Sequence, residues 1–219
     1  MIMENKIEEA KNPNTPPDKL ERLAYYNGWD VREAVANSLF VSPSVLTLLA
    51  HDESWQVREA VAGNPNTPPD ILSWLASDKS EEVRKSVAYN ESTPPEVLAQ
   101  LAQDENWFVR SAVADCPTTP PSILVALASD KDDEVREAVA GNETTPNGVL
   151  AKLANDGCMH VRWAVAANKS TSSDILDELI NDTEEDVYST VIMRMLESSV
   201  SDIPPSSLGG SDNLLIDLG

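Results

Sequence analysis

The stretch SWQVREAVAGNPNTPPDILSWLASD, residues 54–78, contains one almost complete unit of a repeat. The pair Val-Arg recurs at an interval of 26 residues, at Val31-Arg32, Val57-Arg58, Val83-Arg84, Val109-Arg110, Val135-Arg136 and Val161-Arg162. Aspartates keep the same interval five residues before the valines, at Asp52, Asp78, Asp104, Asp130, Asp156 and Asp182. A seventh copy has Val187 followed by Tyr188 instead of arginine. Such regular spacing indicates a protein built from stacked repeats.

The first half of each unit has the hydrophobic spacing of an amphipathic helix. In the second copy, Val57, Ala60 and Val61 fall at positions i, i+3 and i+4, which share one helical face. Glycine and asparagine follow at positions 63–64, and both residue types can end a helix in the left-handed conformation. The pattern therefore predicts a helix over residues 54–62 that ends in a left-handed cap.

The second half of the unit predicts another short helix. Thr67 is placed to cap it, Pro68 suits its first position, and Asp70 suits the third position of a capping box. Leu72 and Leu75 then form part of a buried stripe. Helices of about nine residues are marginal alone in water. Their stability must therefore come from packing on neighbouring copies.

These features predict an all-α fold, an α-solenoid of about seven 26-residue, two-helix repeats. The solenoid is expected over residues 1–197, with polar residues at the N-terminal end, where Asn5 replaces the first valine. Residues 198–219 are rich in Ser, Pro and Gly and carry acids without a base, which predicts a flexible acidic tail. No alternation of apolar and polar residues predicts a sheet.

The composition excludes several classes of function. The chain has 219 residues, with 16 Lys and Arg against 37 Asp and Glu, a formal charge of −21. This charge disfavours nucleic-acid binding, which depends on basic residues that neutralise phosphates. No apolar run approaches the roughly 20 residues that a membrane span needs. No secretory signal is visible, and two cysteines suit a reducing cytosol, so we expect a cytoplasmic protein without membrane contact.

The repeated motif resembles that of a known family. Asp-x-x-x-x-Val-Arg, followed by Ala-Val-Ala-x-Asn, Thr-Pro-Pro and Leu-x-x-Leu-Ala, is similar to leucine-rich repeat variants, and also to HEAT-type repeats such as those of phycobilisome lyase relatives. The resemblance implies a right-handed superhelix without a sheet, in which one helix of a repeat can have 3-10 geometry, although the 26-residue interval leaves room for both helices to be α. One member of the family carries an iron–sulfur cluster on N-terminal cysteines. This chain has no cysteine before Cys116, so no cofactor is expected.

The repeated arginines and aspartates are interpreted as a structural ladder. The planar guanidinium of arginine suits bridging a carboxylate and carbonyl groups, and equal numbers of both residues keep the register. The alternative is an anion-binding arginine stripe. A ladder satisfied internally leaves 10 basic and 31 acidic residues, and hence an acidic exterior. A second ladder of capping side chains is expected at Asn12, Asn64, Asn90, Asn142 and Asn168, with Ser38 and Cys116 substituting.

A partner surface is expected on the second helix, at the two positions after its first leucine. The middle copies carry no charge there, whereas both ends of the series are charged. This neutral strip contains Leu48, Trp74, Gln100 and Val125. An apolar strip flanked by charge is typical of a peptide-binding surface. The alternative is that these side chains pack against neighbouring turns.

Tryptophans provide a second set of candidates for partner binding. Trp55 and Trp107, like Trp29, occupy the same repeat position, two residues before the valine. Trp is enriched at interface hot spots, but it also suits filling a notch between copies, which is the preferred interpretation. Trp163 stands where other copies mostly have Glu or Ser, so it is a separate exposed candidate.

No catalytic or metal-binding pattern is recognised. Cys158 and His160 are too few ligands for zinc, which needs four, or three with a water. The sequence therefore predicts a non-enzymatic scaffold that binds another protein through a basic or extended segment; it does not define the oligomeric state. One alternative is an enzyme-associated role of the phycobilisome lyase type, in chromophore handling. Another is a structural array whose own tail docks on it through Leu214, Leu215 and Ile216.

Overall fold

The computed structural model describes residues 2–201 and contains fifteen helices in that range, with no strand. The first helices of the copies, here called A helices, are α1 (Ile2–Lys11), α3 (Trp29–Ala36), α5 (Trp55–Gly63), α7 (Glu81–Tyr89), α9 (Trp107–Asp115), α11 (Asp133–Gly141), α13 (Met159–Ala167) and α15 (Glu185–Ser201). The second helices, here called B helices, are α2 (Pro17–Leu23), α4 (Pro43–Leu49), α6 (Pro69–Leu75), α8 (Pro95–Leu101), α10 (Pro121–Leu127), α12 (Asn147–Leu153) and α14 (Ser173–Leu179). The predicted all-α solenoid is confirmed, and the short helices have α rather than 3-10 geometry.

The helices form two layers. Each A helix packs directly on the A helices of the preceding and following copies, from α1 to α15. Each B helix packs between the A helix of its own copy and that of the next, and makes little contact with other B helices. The A layer is therefore the continuous element of the stack.

One seam of aliphatic side chains joins the layers. In the second copy, Val57 and Val61 of α5 and Leu72 and Leu75 of α6 are fully buried. A seven-residue helix has fewer than two full turns and would not persist in water alone. Burial of a leucine contributes about 1.5–3 kcal/mol, so contacts between copies supply the stability that each helix lacks.

The turn between the helices differs from the expectation in two ways. No described residue has a positive φ, and Asn64 is extended, so the predicted left-handed cap is wrong. Thr67 does not cap the B helix either: Pro68 is the N-cap residue and Pro69 follows it. The Thr67 hydroxyl instead donates to the carbonyl of Val61, at 2.5 Å, and so satisfies the end of the preceding A helix.

The two ends of the stack are helices of the A layer. At the N-terminus, Glu9 of α1 pairs with Lys6 at 2.7 Å and with Lys19 of α2. At the C-terminus, Val187 and Val191 of α15 are fully buried. This helix runs to Ser201 and so includes the first residues of the predicted tail. The remainder of that tail, with Leu214, Leu215 and Ile216, lies outside the described residues.

Candidate functional site

The six arginines of the repeat lie at the start of the A helices and face aspartates. Arg58 Nε and Nη2 donate to the two carboxylate oxygens of Asp78, at 2.6 and 2.9 Å. Arg58 Nη1 also donates to the carbonyl of Asp52, at 2.7 Å. The same pairs recur as Arg32–Asp52, Arg84–Asp104, Arg110–Asp130, Arg136–Asp156 and Arg162–Asp182. We call this row the ladder edge.

Each arginine pairs with the aspartate of the next copy, 20 residues later, and not with that of its own copy. The aspartate main chain accepts from its own arginine while its side chain accepts from the preceding one, so the bonds form a continuous chain. Lys6 stands at the arginine position of the N-terminal helix, and Tyr26 stands 20 residues later, where an aspartate would be. The aspartate is thus absent where its arginine is absent.

The ladder aspartates are held in the ionised form. Burial disfavours the charge of Asp78, but hydrogen bonds from Arg58 and from the Ser80 amide outweigh this and lower the pKa of the carboxyl. The hydrogen bond to Asp78 likewise raises the pKa of Arg58. Only 6% of the Arg58 side chain and 5% of the Asp78 side chain are exposed. Little guanidinium surface remains to bind an external anion.

The asparagines join neighbouring copies at the opposite ends of the A helices. Asn90 Nδ2 donates to the carbonyls of Ala62 and Asn64 in the preceding copy, at 2.7 and 2.9 Å. Its Oδ1 accepts from the Ser92 amide at 2.9 Å. The same amide-to-carbonyl links are made by Asn64, Asn142 and Asn168. We call this row the asparagine edge.

Three positions of the asparagine edge have other residues, namely Ser38, Cys116 and Arg194. Arg194 stands at the next position of the series and donates to the carbonyls of Ala166 and Asn168, so a guanidinium replaces the amide. Cys116 is fully buried, and its sulfur lies 3.1 Å from the Thr118 hydroxyl. A thiol cannot provide the two amide hydrogens that asparagine donates across the copies.

The predicted neutral strip lies on the outer surface of the B helices. Leu48, Trp74 and Val125 are 41%, 48% and 52% exposed, and Gln100 is exposed. We call these four residues the B strip. Trp74 also packs on His51, which follows the preceding B helix α4, with 4.4 Å between ring centroids. The Gln100 amide lies 3.3 Å from the Ser77 hydroxyl. Side chains of the strip thus reach back to the copy before.

The other tryptophan candidates lie on the A helices. Trp55 and Trp107 begin α5 and α9, and 41% of each is exposed, so neither is sealed between copies. The Trp107 ring meets the edge of Phe108, with 5.6 Å between centroids. Trp163, also 41% exposed, lies in the middle of α13. The candidates therefore belong to both layers and not to one site.

A surface that the sequence reasoning identified only at Trp163 is the outer side of the A layer, here called the A face. It is centred on the residues two positions after each valine, Glu33, Glu59, Lys85, Ser111, Glu137, Trp163 and Ser189. Clefts of about 270 and 430 Å³ open on it where three successive A helices meet. Burial and the neighbouring carboxylate of Glu82 raise the pKa of Glu59, which reflects the acidic surroundings. Variation at this repeat position was the available signal.

The cysteine–histidine pair stands apart from these surfaces. Cys158 Sγ lies 3.8 Å from His160 Nδ1, and no group of three possible metal ligands occurs among residues 2–201. None of the helices in this range combines the length and apolar character that crossing a membrane requires.

Comparison with known proteins supports the repeat assignment. The sequence profile of the leucine-rich repeat variant family matches residues 55–80 and 81–106. Both matched ranges are thus similar to the repeats of this family. The matched ranges begin at the tryptophan or glutamate that opens α5 and α7, so each covers one A helix and one B helix. The resemblance inferred from the repeated motif is therefore confirmed.

Solved structures show the same architecture. A leucine-rich repeat variant, described as having a novel repetitive structural motif, is 29% identical with a TM-score of 0.61, over 82% of this chain and 71% of that one. The protein YibA of Escherichia coli is 18% identical with a TM-score of 0.53, over 89% of this chain and 90% of that one. At this identity the similarity supports the fold alone. A search of curated proteins gives no significant match. Helical repeat solenoids of this kind are typical protein-binding scaffolds.

Proposed function

We propose that this chain is a non-enzymatic scaffold that binds another protein through the B strip. The exposed apolar side chains of Leu48, Trp74 and Val125, on successive or nearby B helices, are the observation that carries the proposal. Large apolar groups exposed together on a soluble protein mark interaction surfaces. A solenoid offers such a surface over several repeats, so it suits an extended segment of a partner.

Trp74 is the central residue of this surface. Its contact with His51 restricts the indole while almost half of the side chain remains exposed. A side chain that is already ordered loses less conformational entropy on binding. A cleft of about 720 Å³ lies beside it and is lined by His51, Ser73, Trp74 and Lys79 among others. The indole and the cleft together provide an anchor of the kind found at interface hot spots.

The charge of the chain favours a basic partner. The ladder edge pairs six of the arginines with aspartates, so the remaining surface carries a large excess of carboxylates. Electrostatic complementarity accelerates the encounter of oppositely charged proteins and selects against acidic ones. We therefore propose a partner segment that combines basic residues with apolar side chains for the strip.

The proposal is tested by quantitative capture from an extract of the source cells. The double variant Leu48→Ala, Trp74→Ala is expected to lose the proteins that the unchanged chain retains, and to keep the same circular dichroism spectrum. The matched control is Leu39→Ala, because Leu39 is 63% exposed but lies in the turn before α4, away from the strip.

Equal capture by the double variant and the unchanged chain would refute the B strip. Equal losses in the double variant and in Leu39→Ala would do so as well, because they would indicate non-specific hydrophobic retention. The chromophore-handling role and the docking of the tail through residues 214–216 stay predictions from the sequence.

A further inference from the structure

The larger cleft of the A face combines acidic groups with an aromatic wall. It has a volume of about 430 Å³ and is formed where α9, α11 and α13 meet. Its lining includes Asp115, Glu134, Glu137, Ala138, Gly141 and Trp163. Pockets for small ligands in proteins have volumes of about 300–1,000 Å³. The cleft is thus large enough for one or two side chains of a bound segment.

Only one of the four acidic side chains that line the cleft pairs with a basic residue. Arg136, in the same helix as Glu134 and Glu137, is directed to Asp156 on the ladder edge. Lys169, at the rim, lies 3.6 Å from Glu143, which also lines the cleft. The cleft therefore has an excess of negative charge in a concave site, where the field is stronger than on a flat surface.

Trp163 distinguishes this cleft from the others on the A face. It occupies the position held by Glu59 and Glu137 in other copies, and 41% of it is exposed. A guanidinium or ammonium over an indole face gains about 0.5–2 kcal/mol from the cation–π interaction. An indole beside carboxylates is suited to a cation, because both attract positive charge and the ring also provides apolar contact.

The floor of the cleft is open for contact. A Cβ atom at Gly141 would have no other atom within 4 Å. Ala138, one turn earlier in α11, is also small. A ligand side chain can therefore approach the helix backbone closely, and a larger side chain at position 141 would fill the cleft without displacing a neighbour.

We propose that this cleft binds an arginine or lysine side chain of an extended segment of a partner protein. Charge complementarity selects this occupant. The chain's own residues 202–219 contain three aspartates and no Lys or Arg, and a second copy carries the same charge of −21, so both are repelled. The site lies on the opposite layer from the B strip, so this inference and the proposed function can fail separately.

The test measures binding of a blocked peptide with three arginines separated by glycines to the full chain, at 150 mM salt, by calorimetry. The same peptide with citrulline in place of arginine keeps the shape and hydrogen-bonding groups but removes the charge. We expect the arginine peptide to bind and the citrulline peptide not to bind. Trp163→Leu should weaken binding about fivefold to tenfold, and Glu134→Gln with Glu137→Gln about tenfold.

Gly141→Leu is the sharpest variant, because it should block the cleft while the fold is kept. Gly148→Leu is the matched control, since a Cβ there also meets no atom within 4 Å but the residue lies on α12 of the B layer. Loss of binding in Gly141→Leu and retention in Gly148→Leu would support the cleft. No peptide binding, equal binding of the citrulline peptide, or unchanged binding in Gly141→Leu and Trp163→Leu would overturn it.

Two further outcomes would assign the binding to a different ligand or to a different surface. Spermidine is the comparison ligand. If it binds as tightly as the peptide and also loses its binding in Gly141→Leu, a protein segment is overturned as the occupant. Peptide binding that is lost only in the Leu48→Ala, Trp74→Ala variant would also overturn the cleft, but it would support the B strip.

Discussion

The ladder edge and the asparagine edge link the same copies by different chemistry. At the ladder edge, Arg58 and Asp78 are both charged, and each is bonded to main-chain groups as well as to its partner. At the asparagine edge, the neutral amide of Asn90 links two carbonyls of the preceding copy to the turn of its own. Both edges join neighbouring copies and bond to main-chain groups, but only the first depends on ionisation.

The difference explains which substitutions each edge contains. At the ladder edge the arginine and the aspartate change together, at Lys6 and Tyr26, where Lys6 remains basic but is 35% exposed and pairs with Glu9 instead. A buried arginine without its aspartate would leave a costly unpaired charge. At the asparagine edge, Ser38 and Cys116 interrupt the series of amides, because a neutral group can be replaced without leaving a charge unpaired. The ladder edge is therefore an obligate pair, and the asparagine edge a set of independent links.

Acidification is expected to have the largest effect, because all six ladder pairs respond together. The pKa of each ladder aspartate is lowered, as for Asp78, Asp130 and Asp182. The stabilisation is complete above the unfolded pKa of about 3.9 and is lost as the pH falls through the lower folded pKa. Urea unfolding followed by circular dichroism should therefore give a free energy that falls steeply below about pH 4. A free energy that stays constant between pH 4 and pH 2 would contradict the ladder's contribution.

Arg110→Ala is expected to be among the most damaging single changes. It removes the partner of Asp130, and the donor to the carbonyl of Asp104, at a side chain that is 7% exposed. Breaking a buried ion pair in this way costs about 3–5 kcal/mol. Arg136→Ala should cost less, because that side chain is 19% exposed and its pair is better hydrated. A loss below about 1 kcal/mol for Arg110→Ala, measured by urea unfolding, would mean that the ladder behaves as surface charge.

Asn142→Ala tests the neutral edge. It removes the amide hydrogens from the carbonyls of Ala114 and Cys116 and the acceptor of the Thr144 amide. Leaving buried groups without partners should cost about 2–3 kcal/mol. The loss should be the same at pH 7 and pH 5, because asparagine does not titrate. The control is Asn155→Ala, at an exposed asparagine, for which we expect almost no change in the thermal midpoint.

Cys116→Asn should produce the smallest effect, and of opposite sign. The new amide can donate to the carbonyls of Ala88 and Asn90, as Asn142 does to those of Ala114 and Cys116. Completing the link should stabilise the chain by about 1–2 kcal/mol. Cys116→Ser serves as the control, because a hydroxyl cannot make both bonds. A lower thermal midpoint in Cys116→Asn, or an equal rise of the midpoint in Cys116→Ser, would contradict the view that the links of the asparagine edge are independent.

Much of the fold could be predicted from the sequence because its determinants are local and repeated. The interval of 26 residues, the helical spacing of Val57 and Val61, and the leucines of the B helix each identify an element without knowledge of its neighbours. The B strip residues were also identified from their place within a single helix. Periodic hydrophobicity indicates which face of a helix is buried, so the core residues could be predicted from the sequence alone.

Where a group bonds to another helix or turn, the tertiary structure decided which partner it has. The direction of the Thr67 hydroxyl, towards Val61 instead of the following helix, depends on a turn whose geometry the residue types do not fix. The choice of the Asp78 carboxylate over that of Asp52 as the ion-pair partner of Arg58 depends on the stacking of two copies. The cleft beside Trp163 requires three helices to meet. Sequence alone determined which residues repeat, whereas the distance between copies determined which of them touch, because that distance is set by packing along the whole stack.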